Sequence, residues 1–162
     1  MDLTAIASAI ADRFLVAAVT PPAGYTEPGT ATHLLPNAIA STPTAVVFPP
    51  EGEFSYNAQM RTGNLAFPVR WYIAETSDLP RSTQAMYDWA GTLLDQLRAQ
   101  FELDQGPTVT HAVIDGVRFG KLEYADKEYT GIELSVLVHV VEAFVPTSGG
   151  SFDISFDSGF NV

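Results

Sequence analysis

The spacing of apolar and polar residues predicts an amphipathic helix at two places in the chain. The first helix follows Asp2 or Thr4, either of which can cap it, and ends before Pro21. Its apolar residues recur at three- and four-residue intervals and share one face: Leu3, Ile6, Ala7, Ile10 and Phe14. The second helix, Leu79–Phe101, begins after a capping Ser77 or Asp78, and its apolar stripe consists of Met86, Trp89, Ala90, Leu93, Leu97 and Phe101. Each helix therefore has one face to bury.

Alternation of apolar and polar residues predicts strands between these helices. A short run, Thr44–Phe48, favours a strand and stops at two prolines. In Leu65–Ala74 the apolar residues alternate, so that one face carries Leu65, Phe67, Val69, Trp71 and Ile73. Pro68 cannot donate a backbone hydrogen bond, which predicts a sheet edge or a bulge at that position.

The chain after the second helix predicts an antiparallel meander. Its strands are Val109–Ile114, Val117–Tyr124 and Ile132–Phe144, and Asp115-Gly116 has the composition of a two-residue hairpin turn. A second turn is predicted at Ala125–Gly131. The last strand is apolar on both faces, which is typical of a central strand. The predicted fold class is therefore α+β, with a mostly antiparallel sheet packed against two main helices.

Two connections in the predicted fold are long. Residues 20–43 contain several prolines and predict an irregular connection, with a short turn of helix at Pro36–Ala40. Residues 49–64 are long for a hairpin connection, and long segments of this kind are often functional. We interpret residues 49–64 as a projecting arm.

The chain divides into one domain and a tail. Residues 1–145 predict a single α+β domain, because their length suffices to bury a core. Residues 146–162 begin with a linker composition and continue with aromatic residues interleaved with aspartates, which predicts a flexible tail. Phe152 and Phe156 recur at strand spacing within it. Such a tail can add a strand to the sheet of a neighbour.

Composition narrows the function classes. The chain has 162 residues, no cysteine and a formal net charge of −11, so it cannot form a disulfide or a thiolate metal site. Its acidic balance disfavours gripping the phosphate backbone of DNA. The N-terminus lacks a basic region typical of signal peptides, and no apolar run is long enough to span a membrane.

Candidate chemistry is sparse. The three histidines do not have the spacing of metal ligands, and His139 is predicted to be hydrogen-bonded on a half-buried strand face. No nucleophile elbow, phosphate loop or dinucleotide-binding glycine pattern occurs. Glu51 and Glu53 could bind a cation, but a solvated pair is the more economical interpretation. We therefore predict no catalytic, metal or cofactor site, and a protein that is not an enzyme.

The order and length of these elements resemble those of the tail terminator proteins of long-tailed (siphovirus-type) bacteriophages, especially phages of actinobacteria. The resemblance covers residues 1–145. It rests on the opening helix, the stretch leading to Leu34-Leu35-Pro36, the Thr44–Phe48 strand and the arm at 49–64. The following strand, the second helix and the closing hairpins also fit. The tail at 146–162 lies outside the resemblance.

The resemblance implies a hexameric ring that caps the tail tube, stops its polymerisation and joins the tail to the head connector. The implied partners are other copies of the chain, the major tail tube protein and the head–tail connector proteins. DNA would pass through the lumen without specific binding, and the protein would reside in the virion after assembly in the host cytoplasm. The predicted interface residues are Glu51, Glu53, Tyr56, Met60, Arg61, Phe152 and Phe156.

Two other functions fit the sequence. A head–tail connector or tail completion protein of the phage neck would share the fold class and a ring, but would bind on the portal side. A small-ligand binding module would use the crevice near Trp71 and Trp89, and a metabolite would raise its melting temperature.

Overall fold

The computed structural model describes residues 2–15, 20–25, 30–57, 59–76, 79–100, 103 and 109–143, with the backbone alone at 79–80, 96–100 and 110. Its helices and strands, in chain order, are α1 (Leu3–Arg13), β1 (Thr30–Thr32), β2 (Thr44–Val47), β3 (Glu51–Tyr56), β4 (Met60–Glu75), α2 (Leu79–Gln100), β5 (Val109–Tyr124) and β6 (Lys127–Ala143). The described strands form a six-stranded sheet in the order β1-β2-β4-β6-β5, and β3 pairs with β4 beside this path. Only the β1–β2 pair among these is parallel, so the predicted α+β class is confirmed.

Both helices pack on the same face of the sheet, which we call the helix face. There, Ile6 and Ile10 of α1 and Trp89 and Leu93 of α2 join the apolar residues of β4 and β6 in the main core. The Trp71 ring lies 5.5 Å from the Trp89 ring and joins the two helices to the sheet. The predicted cap of α1 is confirmed, because the Asp2 carboxylate accepts hydrogen bonds from the first free N–H groups.

The opposite side of the sheet, which we call the outer face, holds a smaller core. This cluster consists of Ile39, Val46, Tyr72, Leu122 and Tyr129. Next to it, Glu133 accepts hydrogen bonds from Arg70 Nε at 2.7 Å and from Arg118 at 2.6 Å. The outer face therefore combines tyrosines with a row of charges across three strands, whereas the helix face is almost entirely apolar.

Strands β4 and β6 form the centre of the sheet, as the apolar pattern of β6 predicted. Pro68 lies within β4, opposite Phe48, where the neighbouring chain passes from β2 to β3. The Phe48 N–H donates to the Pro68 carbonyl at 2.8 Å, so the missing donor of Pro68 faces this gap between strands. Pro68 therefore lies inside the sheet, opposite Ser135 of β6, and is neither at the predicted sheet edge nor in a bulge; the register irregularity of β4 lies further along, between Tyr72 and Ala74.

Three further local predictions were wrong. Asp115-Gly116 is not a turn, because β5 runs without interruption past it and only shifts register against β6. The turn lies at Ala125-Asp126, whose φ angles of 47° and 64° are those of a tight hairpin without glycine. Residues 36–40 form no helical turn, and the three-residue strand β1 lies within the segment predicted to be irregular.

The predicted arm at 49–64 is a β-hairpin rather than a loop. Strand β3 pairs with the first part of β4, which begins at Met60 instead of Leu65. Asn57 closes the hairpin, because its side-chain oxygen accepts from the backbone N–H groups of Gln59 and Met60. Since β4 also pairs with β6 on its other side from Met60 onward, the hairpin is an integral part of the sheet.

Candidate assembly surface

The described residues offer little for metal or membrane chemistry. No group of three or more potential metal-ligating side chains occurs among them, and no helix in this part of the chain could cross a membrane. His139 Nδ1 lies 2.7 Å from Asn64 Oδ1, as expected of a hydrogen-bonded histidine. The exposed edges of the sheet are the remaining candidates, because an apolar or charged edge strand can pair with a partner.

Strand β3 forms an acidic edge. Its register with β4 places Glu51 opposite Ala66 and Glu53 opposite Asn64, so both glutamates lie on the outer face. Both are exposed. Phe54 and Tyr56 alternate with them and lie on the helix face, where Phe54 packs half-buried against the main core and Tyr56 is exposed. One strand edge thus presents carboxylates on one side and aromatic rings on the other.

The aromatic side of β3 is fixed to β4 and β6. The Phe54 ring lies over Gly63, where a Cβ atom would come within 2.5 Å of it. The Arg61 guanidinium lies 5.1 Å from the centre of the same ring and forms an ion pair with Glu142 at the end of β6. Arg61 therefore holds the hairpin against the sheet, so its contacts give it a structural role before any role in an interface.

The tip of the hairpin exposes two large apolar side chains. Tyr56 is 65% exposed and Met60 is 40% exposed, on either side of the Asn57 turn. A monomer gains nothing from presenting these groups to water, and exposed aromatic residues and methionine are enriched in interfaces. The tip is therefore a candidate contact with another protein.

The predicted interface residues fall into two groups. Five of them, Glu51, Glu53, Tyr56, Met60 and Arg61, come together in the β3–β4 hairpin. Four of these five are exposed, and Arg61 is half-buried in its ion pair. Phe152 and Phe156, together with the tail at 146–162, lie outside the described residues.

Strand β5 forms a second edge, which sequence reasoning missed. Val117 and Phe119 point to the helix face but are 37% and 46% exposed. Arg118, between them, lies on the outer face with a side chain that is 72% exposed. The alternation of Val117, Arg118 and Phe119 was visible in the sequence, but the expected turn at Asp115-Gly116 concealed that it belongs to one long edge strand.

A third exposed apolar site lies in the bend after β1, just before Pro36, whose carbonyl accepts a hydrogen bond from the Tyr124 hydroxyl at the end of β5. Leu34 and Leu35 follow β1 and are 68% and 52% exposed. Thr32 fixes this bend, because its hydroxyl donates to the Leu34 carbonyl and accepts from the Leu34 N–H. The two leucines are therefore held in an ordered bend that presents them to solvent.

Comparison of the chain with protein-family models gives no match, and a search of curated proteins finds no significant match. The geometry and the sequence pattern therefore carry the functional argument.

Proposed function

We propose that this protein is a structural subunit that assembles with copies of itself into a ring, and that the ring is the tail terminator of a long-tailed bacteriophage. One observation carries the assembly part of the proposal. Three strands of the described part of the sheet, β1, β3 and β5, pair on one side only, and the two longer ones, β3 and β5, each combine charged with exposed apolar side chains. The phage role is supported by the element order that the sequence shares with tail terminators.

Open edges of this kind favour an assembling protein. An edge strand exposes unpaired N–H and C=O groups, and monomeric proteins usually shorten, cover or charge such strands. Strand β5 is 16 residues long, and its edge carries Val117 and Phe119 in addition to charged groups. A partner that covers this edge would satisfy its hydrogen bonds and bury its apolar residues. In a ring, the partner that covers the β5 edge is another copy of the same chain.

The charge of the chain suits a ring through which DNA passes. A formal net charge of −11 repels phosphates, so a lumen lined by carboxylates would let DNA slide without adhesion. The exposed glutamates of β3 could serve the lumen or the contact between copies. Leu34 and Leu35 are exposed in the bend after β1, which leaves an apolar site for the tube protein or the head connector.

Light scattering and negative-stain electron microscopy of the purified protein test the ring directly. The expected result is a particle with six times the mass of one chain and a central hole. Addition of the protein to polymerising tail tube protein from the phage that encodes it should then limit tube length. A chain that stays monomeric both alone and with tubes contradicts the proposal.

The same experiments separate the alternatives. In virions, gold-labelled antibody should bind where the tube ends, whereas binding only at the portal side would favour a head–tail connector. A monomer whose melting temperature rises with a metabolite would favour a small-ligand binding module instead.

A further inference from the structure

We propose that copies of the chain join by pairing β3 of one copy antiparallel to β5 of the next, so that the sheet continues around the ring. This inference rests on the proposed function, because it names the contact between copies that a ring requires. Its occupant is a second copy of this chain, and its residues are all described ones.

Strand direction is the first argument for this contact. β3 is antiparallel to β4, β4 to β6, and β6 to β5. Within one copy, β3 and β5 therefore run in opposite directions and lie on opposite sides of the central strands. A neighbour in the same orientation around the ring axis brings its β3 beside β5 as an antiparallel pair, which has the more favourable hydrogen-bond geometry.

The side-chain pattern matches on both faces of the extended sheet. When Glu53 lies opposite Arg118 on the outer face, antiparallel pairing places Phe54 opposite Val117 on the helix face. The same register places Gly52 opposite Phe119, whose exposed ring can then lie over a glycine that has no side chain of its own. Apolar groups thus meet apolar groups, and opposite charges meet on the other face.

Charge favours this pairing over a pairing of two identical edges. On β5, the Arg118 side chain is 72% exposed, and its Glu133 partner is shared with Arg70, so Arg118 is a cation available beside that edge. The β3 edge carries Glu51 and Glu53. Two β3 edges would bring these glutamates together and repel each other, whereas β3 against β5 brings Glu53 to Arg118. A contact between two different edges is head-to-tail, which is the type that closes into a ring.

Register limits the alternatives further. A shift of one residue would move Glu53 to the helix side and place it among Val117 and Phe119, since strand side chains alternate with a period of two. The pairing can therefore shift only in steps of two residues. Among these, the register with Glu53 opposite Arg118 combines the charge pair with the Phe54–Val117 contact.

Cysteine cross-linking tests the contact. Because the chain has no native cysteine, every disulfide must come from the introduced residues. Ser55 and Gly116 lie opposite each other in the proposed register, and a Cβ atom at Gly116 would meet only ordinary contacts. The double variant Ser55→Cys/Gly116→Cys should form a ladder of covalent multimers under oxidation. A mixture of the two single variants should stop at dimers. As the matched control, Ser55→Cys/Tyr87→Cys places the second thiol on the exposed side of α2 and should form no ladder.

Charge reversal tests the same contact without cross-linking. Glu53→Arg and Arg118→Glu should each weaken association about tenfold per contact, because like charges then face each other. Asp95→Arg, an equal charge change on the exposed side of α2, should leave assembly unchanged. Mixing the two reversed variants should restore particles, since each contact in an alternating ring is again complementary. Circular dichroism and thermal melting of each variant verify that it is folded.

The outcomes separate this inference from the proposed function. If the wild-type chain forms rings, both charge-reversal variants still form them, and the double-cysteine variant gives no ladder, then the β3–β5 contact is overturned and the ring itself is not. A wild-type chain that forms no ring alone or on tubes would overturn both. A cysteine ladder together with recovery on mixing supports both.

Discussion

The two halves of strand β4 have the same pairing with β6 but different surroundings. In the half at Val69–Ile73, Trp71 is 1% exposed, with Phe14 and Trp89 against its ring and the tyrosine cluster on the other side of the sheet. In the half at Met60–Asn64, Gly63 is buried under the Phe54 ring, but Asn64 is exposed and Met60 is 40% exposed. One half is buried on both faces, whereas the other presents side chains to solvent.

The hydrogen-bonded length of β4 and the stability of its parts are separate quantities. Backbone pairing extends along the whole of β4, but burial of apolar area, which is the dominant stabilising contribution, is concentrated at the helix-covered half. The hairpin half is the more exposed of the two, and exposed segments with few buried apolar contacts commonly have low local stability and form binding elements. We expect substitutions in the two halves to separate folding from assembly.

The largest effect should come from Trp89→Ala in the helix-covered half. Trp89 is 1% exposed and contacts the Trp71 ring, so its loss leaves a cavity in the main core. We expect the free energy of unfolding to fall by about 3–5 kcal/mol, measured by urea denaturation. A loss below about 1 kcal/mol would show that this half is not the stabilising one.

Gly131, which pairs with Tyr72 in the helix-covered half of β4, and Gly63, in the hairpin half, give a matched pair of substitution sites. A Cβ atom at Gly131 would overlap the Trp71 backbone carbonyl, which cannot move, whereas one at Gly63 would meet the Phe54 ring, which can. We expect Gly131→Ala to cost about 3 kcal/mol and Gly63→Ala about 1 kcal/mol, by the same denaturation measurement. Gly91→Ala, in open space on α2, is the control and should not destabilise. Equal costs at both sites would contradict the comparison.

Alkaline pH should act on the buried half through its tyrosine cluster. Burial raises the pKa of the Tyr72 phenol above its ordinary value of 10.0, against the lowering effect of the neighbouring Arg70. The folded protein therefore holds this proton more tightly than the unfolded chain. The stability that protonated Tyr72 contributes is fully present below pH 10.0, the ordinary pKa, and is lost as the pH rises through the higher pKa of the folded protein. Tyr72→Phe should reduce this fall in thermal melts above that pH, and an unchanged profile would contradict the assignment.

The smallest effect on folding should come from Tyr56→Ser at the hairpin tip. Tyr56 is 65% exposed, so we expect the free energy of unfolding to change by less than about 0.5 kcal/mol. The same substitution should weaken assembly, measured by light scattering at matched concentrations. Destabilisation comparable to that of Trp89→Ala would mean that the tip belongs to the core.

Sequence reasoning succeeded where local signals and burial agree. The α1 cap at Asp2 and the stripe of α2 through Trp89 and Leu93 depend on residues close in the chain, and the structure confirms them. The apolar faces of β4 and β6 also follow from alternation alone. The acidic and aromatic residues of the hairpin became candidates because the sequence predicted a projecting arm at 49–64, and their role in an interface stays a prediction.

The failures arise where pairing with a distant strand decides the local structure. The Asp115-Gly116 sequence favours a turn, but the length of β6 offers continuous pairing, and the chain takes up the irregularity as a register shift. The true turn at Ala125-Asp126 lies within the turn predicted at Ala125–Gly131, but it lacks glycine and is much shorter than that range. Because the second edge depends on the unbroken β5, the exposed Val117–Phe119 group could not be placed from the sequence.

The one-sided pairing of β3 has a consequence for amide hydrogen exchange. In a strand paired only with β4, alternate N–H groups bond to the partner and the others face water, so deuterium enters at every second position. Addition of a neighbour's strand would protect this second set while leaving the first unchanged. A subunit contact at this edge would therefore appear as an alternating gain of protection along Glu51–Tyr56, a footprint that a contact through side chains alone does not produce.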